Sequence, residues 1–139
     1  MPWVYDPHSG GVKISERVKT HTKQRILAYA EQQYAGKYTR LDLRFHGVFC
    51  YIDAYMEPSV SDGFPLPGSG ETKEAYLERM RNTPVHLCRL RHFSEDRWSV
   101  AFYSYANERY EPCILPNGTF EGTPEEGFDI GAVYLQGSW

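Results

Sequence analysis

Arginines, aspartates and aromatic rings alternate along residues 38–56 so that they fall on one side of two strands. Closing a turn at His46-Gly47 sets Arg44 opposite Phe49, Asp42 opposite Tyr51, Arg40 opposite Asp53 and Tyr38 opposite Tyr55. Guanidinium groups recognise carboxylates and phosphates, and flat rings stack on bases or fill partner pockets. The candidate binding residues are therefore Arg40, Asp42, Arg44, Phe49, Tyr51, Asp53 and Tyr55. The same residue types also stabilise an ordinary sheet by cross-strand packing.

Two further groupings carry chemical potential. Ser9, Gly10 and Gly11 precede Lys13 at the start of a predicted helix, where converging backbone N–H groups and the helix dipole favour an anion. That stretch lacks the second Gly and the Lys-Ser/Thr ending of a P-loop, and a Ser-Gly-Gly before a helix is most often a plain flexible leader. His46, His86 and His92 with Asp42 and Asp53 would make an acid–base or metal site if the strands carrying them were neighbours, although no HxH or HExxH spacing supports it. No cofactor is called for and no metal ligands are assigned, and no catalytic residue is named.

The elements that must position these residues follow from periodicity. Ile14, Val18, Thr22, Ile26, Ala30 and Tyr34 form an i, i+4 stripe, predicting a helix over 14–35 that stops at Gly36. In the hairpin, Phe45 is expected opposite Val48, Leu43 opposite Cys50 and Leu41 opposite Ile52, giving a wholly apolar second face. Residues 58–70 hold three Pro and three Gly and read as a long loop. Thr72 is the expected N-cap of a short helix to Arg81, with Ala75, Tyr76, Leu77 and Met80 as its buried face.

Three strands follow, at 85–93, 98–106 and 109–115. Their buried face is expected to collect Val85, Leu87, Phe93, Trp98, Val100, Phe102, Cys113 and Leu115, along with Arg89 and Arg91. Thr123-Pro124-Glu125-Glu126 has the form of a capped start for a last helix to about Leu135, weakened by about 1 kcal/mol at each of Gly127 and Gly131. The order α-β-β-α-β-β-β-α predicts an α+β fold with an antiparallel sheet of about five strands and helices mainly on one face.

A chain of 139 residues suits one domain, 1–139, with an irregular leader at 1–13. The net charge of −3 argues against a dedicated duplex-DNA binder. Residues 1–50 carry eight Lys and Arg against four Asp and Glu, and residues 51–139 carry seven against fourteen, so the two parts are expected to meet within the chain or between copies. Three Cys without CxxC spacing predict buried thiols rather than disulfides or zinc. No apolar run is long enough to span a membrane and the start, Met-Pro-Trp-Val-Tyr-Asp, lacks the n- and h-regions of a signal peptide, which predicts a cytoplasmic protein.

Residues 5–13 (YDPHSGGVK), 49–55 (FCYIDAY) and 83–90 (TPVHLCRL) together resemble a group of small bacterial proteins to which no activity is assigned. The resemblance implies a bacterial, cytoplasmic, single-domain protein and no particular chemistry. From the residues, the expected function is a non-catalytic binding module for a protein partner or a second copy of itself. Single-stranded nucleic acid on the same face and a small metal- or His/Asp-dependent hydrolase are the alternatives.

Overall fold

The computed structural model describes residues 10–58 and 70–135. Ser9, most of the leader and most of the 58–70 stretch therefore lie outside the described residues. Helix α1 (Glu16–Tyr34) opens on Ser15, whose hydroxyl accepts from the Val18 N–H at 3.2 Å. Its stripe is buried as the spacing predicts, from Ile14 through Val18, Thr22 and Ile26 to Ala30. Gly36, at φ +80°, takes the left-handed turn that ends it.

Strands β1 (Arg40–His46) and β2 (Phe49–Tyr55) form the expected hairpin, with a corrected register. Phe45 faces Cys50, Leu43 faces Ile52, Leu41 faces Ala54, Arg44 faces Tyr51, Asp42 faces Asp53 and Arg40 faces Tyr55. The turn residues are Gly47 and Val48 rather than His46 and Gly47. Gly47 has φ +61° and Val48 no positive φ, the pattern of a Gly-X turn with glycine in the first central position. Because both strands slip by one position in opposite senses, every side chain keeps its face.

Helix α2 (Lys73–Arg81) starts at Thr72, whose hydroxyl accepts from the Ala75 N–H at 3.1 Å. The expected buried face is only partly realised: Tyr76, Leu77 and Met80 are half-buried and Ala75 is exposed. Strands β3 (Val85–Ser94), β4 (Arg97–Ser104) and β5 (Arg109–Cys113) continue the meander, so the sheet order is β1-β2-β3-β4-β5, all antiparallel. A short strand, β6 (Glu121–Gly122), which the sequence reading lacks, pairs with Trp98 and Ser99 beyond the end of β5. This is an α+β fold.

Two bulges correct the expected facing of β3. Ile52 pairs with Cys88 but Asp53 with His86, and His92 pairs with Trp98 but Ser94 with Arg97. Leu87 and Phe93 are the extra residues, and each reverses the alternation. Between them Cys88, Leu90 and His92 point to the helices, while Arg89 and Arg91 point to the other side. On β4 Trp98 and Val100 are buried as expected, but Phe102 is only half-buried and Ser99 and Ala101 of the opposite side are buried as well.

Helix α3 (Pro124–Gly131) runs into a 3₁₀ turn (Ala132–Leu135), so the last helical stretch tightens after Gly131 instead of continuing as one α-helix. Its capping box is complete: Glu126 N–H donates to Thr123 Oγ1 at 3.2 Å and Thr123 N–H to Glu126 Oε1 at 2.9 Å. The two glycines serve close approach. A Cβ on Gly131 would stand 2.9 Å from Cys88 Cβ, Cys88 Sγ and the Leu87 carbonyl carbon, and one on Gly127 2.5 Å from Leu90 Cδ2.

The charge asymmetry is met inside the chain. Arg25 of α1 forks onto Glu125 at 2.9 and 2.7 Å and reaches Asp96 at 2.9 Å, and Arg17 pairs with Glu95 at 3.0 Å. Tyr29 and Tyr34 each donate to Asp129 at 2.7 Å. The Asp129 carboxylate pushes the Tyr29 phenol up to about 12, and burial followed by Asp129 raises Tyr34 as well. Among the described residues, no helix is long and apolar enough to cross a membrane.

Candidate functional site on the open sheet face

Helices α1 and α3 cover one side of the sheet; on the other side, among the described residues, side chains meet each other instead. Rings run across it from strand to strand: Phe49 to Tyr51 at 5.9 Å, Tyr51 to Tyr110 at 5.5 Å, Tyr110 to Tyr103 at 5.0 Å and Tyr103 to the His86 imidazole at 4.8 Å between centroids. Guanidinium groups lie over them. Arg40 sits 4.2 Å above Tyr55, Arg44 5.2 Å above Tyr51, Arg89 4.4 Å from Phe49 and 5.4 Å from Tyr110, and Arg91 4.8 Å from Phe49.

Asp53 is buried within this face, 4% exposed. Its two oxygens are both committed, one accepting from His86 Nδ1 at 2.8 Å and the other from Arg44 Nη2 at 3.3 Å. The β2–β3 bulge places His86 beside Asp53, because the extra residue Leu87 turns the strand at that point. The bond to Asp53 holds the imidazole with Nδ1 protonated and leaves Nε2 turned away from the carboxylate. Burial, then the nearby Asp53 charge, raises the Tyr110 phenol above its ordinary range, so Tyr110 stays a neutral hydroxyl at neutral pH.

The donors on this face outnumber its acceptors. Arg89 is half-buried, and among the described residues its guanidinium lies over the two rings and meets no hydrogen-bond acceptor. The hydroxyls of Tyr51, Tyr103 and Tyr110 likewise make no hydrogen bond to any described residue, and Arg44 spends one nitrogen on Asp53. Asp42, on the edge strand opposite Asp53, is the one candidate carboxylate left without a partner among the described residues. A face built this way has room for an acceptor-rich group.

All seven residues expected from the hairpin, Arg40, Asp42, Arg44, Phe49, Tyr51, Asp53 and Tyr55, lie on this face. Sequence reasoning put Arg89 and Arg91 on the helix side and so missed them; Arg91 is buried as expected, but on this face, and two arginines at alternate positions of one strand were the signal that they turn away from the helices. Of the histidine grouping, only His86 and Asp53 come together. His46 ends β1 at the turn, and His92 lies on the helix side against Trp98, with ring centroids 4.7 Å apart. Among the described residues no three His, Cys, Asp or Glu gather as a metal site.

The leader is tied to the sheet. Arg91 Nη1 donates to the Gly10 carbonyl at 2.7 Å, Val12 N–H to the His92 carbonyl at 2.8 Å, His92 Nδ1 to the Val12 carbonyl at 2.8 Å and Ile14 N–H to the Gly47 carbonyl at 3.0 Å. Gly11 has φ +115°, and a Cβ there would stand 3.1–3.2 Å from Val48, Arg91 and the His92 carbonyl. Lys13 is exposed beside this strap.

No protein family, curated protein or solved structure matches the chain. The chemistry of the face is thus the basis for any functional reading. A cleft of about 520 Å³ adjoins the Tyr103–His86 end of this face, lined chiefly by Met56, Met80, Pro84, Val85, Tyr105 and Tyr134. Its tyrosines are committed, Tyr105 to the His86 backbone and Tyr134 to the Tyr103 carbonyl.

Proposed function

We propose that the protein is a non-catalytic binding module whose open sheet face holds an acidic segment of a partner protein. The observation that carries this reading is Arg89, a half-buried guanidinium flanked by aromatic rings with no acceptor among the described residues. Desolvating such a fork without an acceptor costs stability, and a bound carboxylate would recover it through charge-assisted hydrogen bonds. Tyr and Arg are also the residue types that dominate the energetics of protein interfaces. The unpaired thiols of Cys50, Cys88 and Cys113 support a cytoplasmic, reducing setting.

A glutamate-rich octapeptide and its glutamine counterpart, titrated into ¹⁵N-labelled protein, test the proposal. The acidic peptide is expected to bind, to shift the Arg89 Nε–H resonance and to lose affinity steeply with salt. Equal binding of both peptides, or unchanged binding by Arg89→Ala, would overturn it.

A further inference from the structure

We propose that the group seated at Arg89 is a phosphate monoester carried on a side chain of the partner. The inference rests on the acidic-partner reading and narrows its chemistry. A carboxylate has two oxygens in one plane and is satisfied by a single guanidinium fork. Arg89 is instead joined through ring contacts to donor-bearing side chains of three other strands: it lies over Tyr110 on β5, the Tyr110 ring meets Tyr51 on β2, and Arg44 on β1 lies over Tyr51. Guanidinium and phenol donors carried on four neighbouring strands suit the three tetrahedrally placed oxygens of a phosphate better than a flat carboxylate.

Charge points the same way. Asp53 already answers Arg44 and His86, whereas Arg89 has no carboxylate partner among the described residues and Arg40 meets only the Tyr55 ring there. A group carrying about −1.5 to −2 at neutral pH can draw on Arg89 and on the outer nitrogens of Arg44 together. The His86 imidazole, fixed by Asp53 and in contact with Tyr103, lies on the same face. The phosphate is assigned to a protein rather than to a nucleic acid because the guanidiniums lie over the faces of Phe49, Tyr51 and Tyr55, the surfaces a base would stack on.

The test uses four probes on the whole protein: acetyl-Gly-phosphoserine-Gly-amide, its aspartate counterpart, inorganic phosphate and an octauridylate. The phosphoserine peptide is expected to shift the Arg89 Nε–H resonance and to bind at least about tenfold tighter than the aspartate peptide. Arg89→Lys should abolish that preference, since an ammonium lacks the fork. Tyr110→Phe keeps the ring and the fold, and should weaken the phosphoserine peptide more than the aspartate one.

Equal affinity for the two peptides would overturn the phosphate assignment and leave the acidic-partner reading standing. Inorganic phosphate binding as tightly as the peptide would overturn the assignment to a partner side chain. Octauridylate displacing the phosphopeptide, or an Arg89 resonance that no probe moves, would overturn both readings.

Discussion

On the helix side of β3, Cys88 and Leu90 are fully buried and press against two glycines of α3. One position away along the same strand, Arg89 and Arg91 lie over aromatic rings on the open side. The covered side is closed by shape: a methyl group on Gly127 would stand 2.5 Å from Leu90 and one on Gly131 2.9 Å from Cys88. The open side is closed by chemistry, with rings edge-on to one another and cations over their faces, and it keeps donors in reserve. A substitution on the covered side should therefore register as lost stability, and one on the open side as lost binding.

The sharpest way to break that contrast is a matched pair. Leu43→Ala, on the covered side, is expected to cost about 2–5 kcal/mol as a core cavity. Tyr51→Ala is expected to cost about 1 kcal/mol through its ring contacts, while abolishing binding of the acidic peptide. Urea unfolding of the two variants decides it, and equal losses would mean that the open side is a second core.

Next in size is Gly131→Ala. On an exposed helix this exchange gains about 1 kcal/mol, but here the new Cβ meets backbone and Cys88, and a net loss of about 1–3 kcal/mol is expected. Gly127→Ala should cost less, because Leu90 Cδ2 is the end of a side chain that can turn. A Gly131→Ala protein more stable than wild type in urea would show that α3 is not held close by shape.

Smaller still is Thr123→Ala, which removes one half of the capping box and is expected to lower stability by about 1 kcal/mol without touching peptide affinity. The mildest perturbation is alkaline pH. The folded chain holds the Tyr29 proton up to about 12, whereas an unfolded tyrosine releases its proton near the ordinary value of 10.0. The unfolded state thus binds fewer protons above that value, and stability should fall as pH rises from about 10 towards 12. Tyr29→Phe should flatten the fall measured by thermal unfolding.

Much of this contrast was legible in the amino-acid order. Strict alternation in β1 and β2 separates apolar from charged positions, and the caps at Thr72 and Thr123 use hydroxyls whose offsets to the next turn are visible without coordinates. Three things were not. The hairpin register depended on which central position of the turn Gly47 takes, and both positions accept glycine. The facing of β3 depended on bulges at Leu87 and Phe93, which a count of alternate residues cannot register. The glycines of α3 read as weak helix formers, when their role is a contact made with a strand more than thirty residues earlier. The site followed the same division: its hairpin half was visible and His86 was already grouped with Asp53, while the facing of Arg89 awaited the bulge.

The sheet and the clasp between α1 and α3 also differ in how far apart their partners lie in the chain. Successive strands close on one another over short turns, except across the 58–70 stretch and α2. Arg25 and Glu125 stand 100 residues apart, and Tyr34 and Asp129 stand 95 apart. Contacts of that span carry the larger loop-closure entropy and form late. During synthesis the side of α1 that meets α3 therefore stays open, within reach of chaperones and proteases on the nascent chain, until α3 has emerged about a hundred residues later.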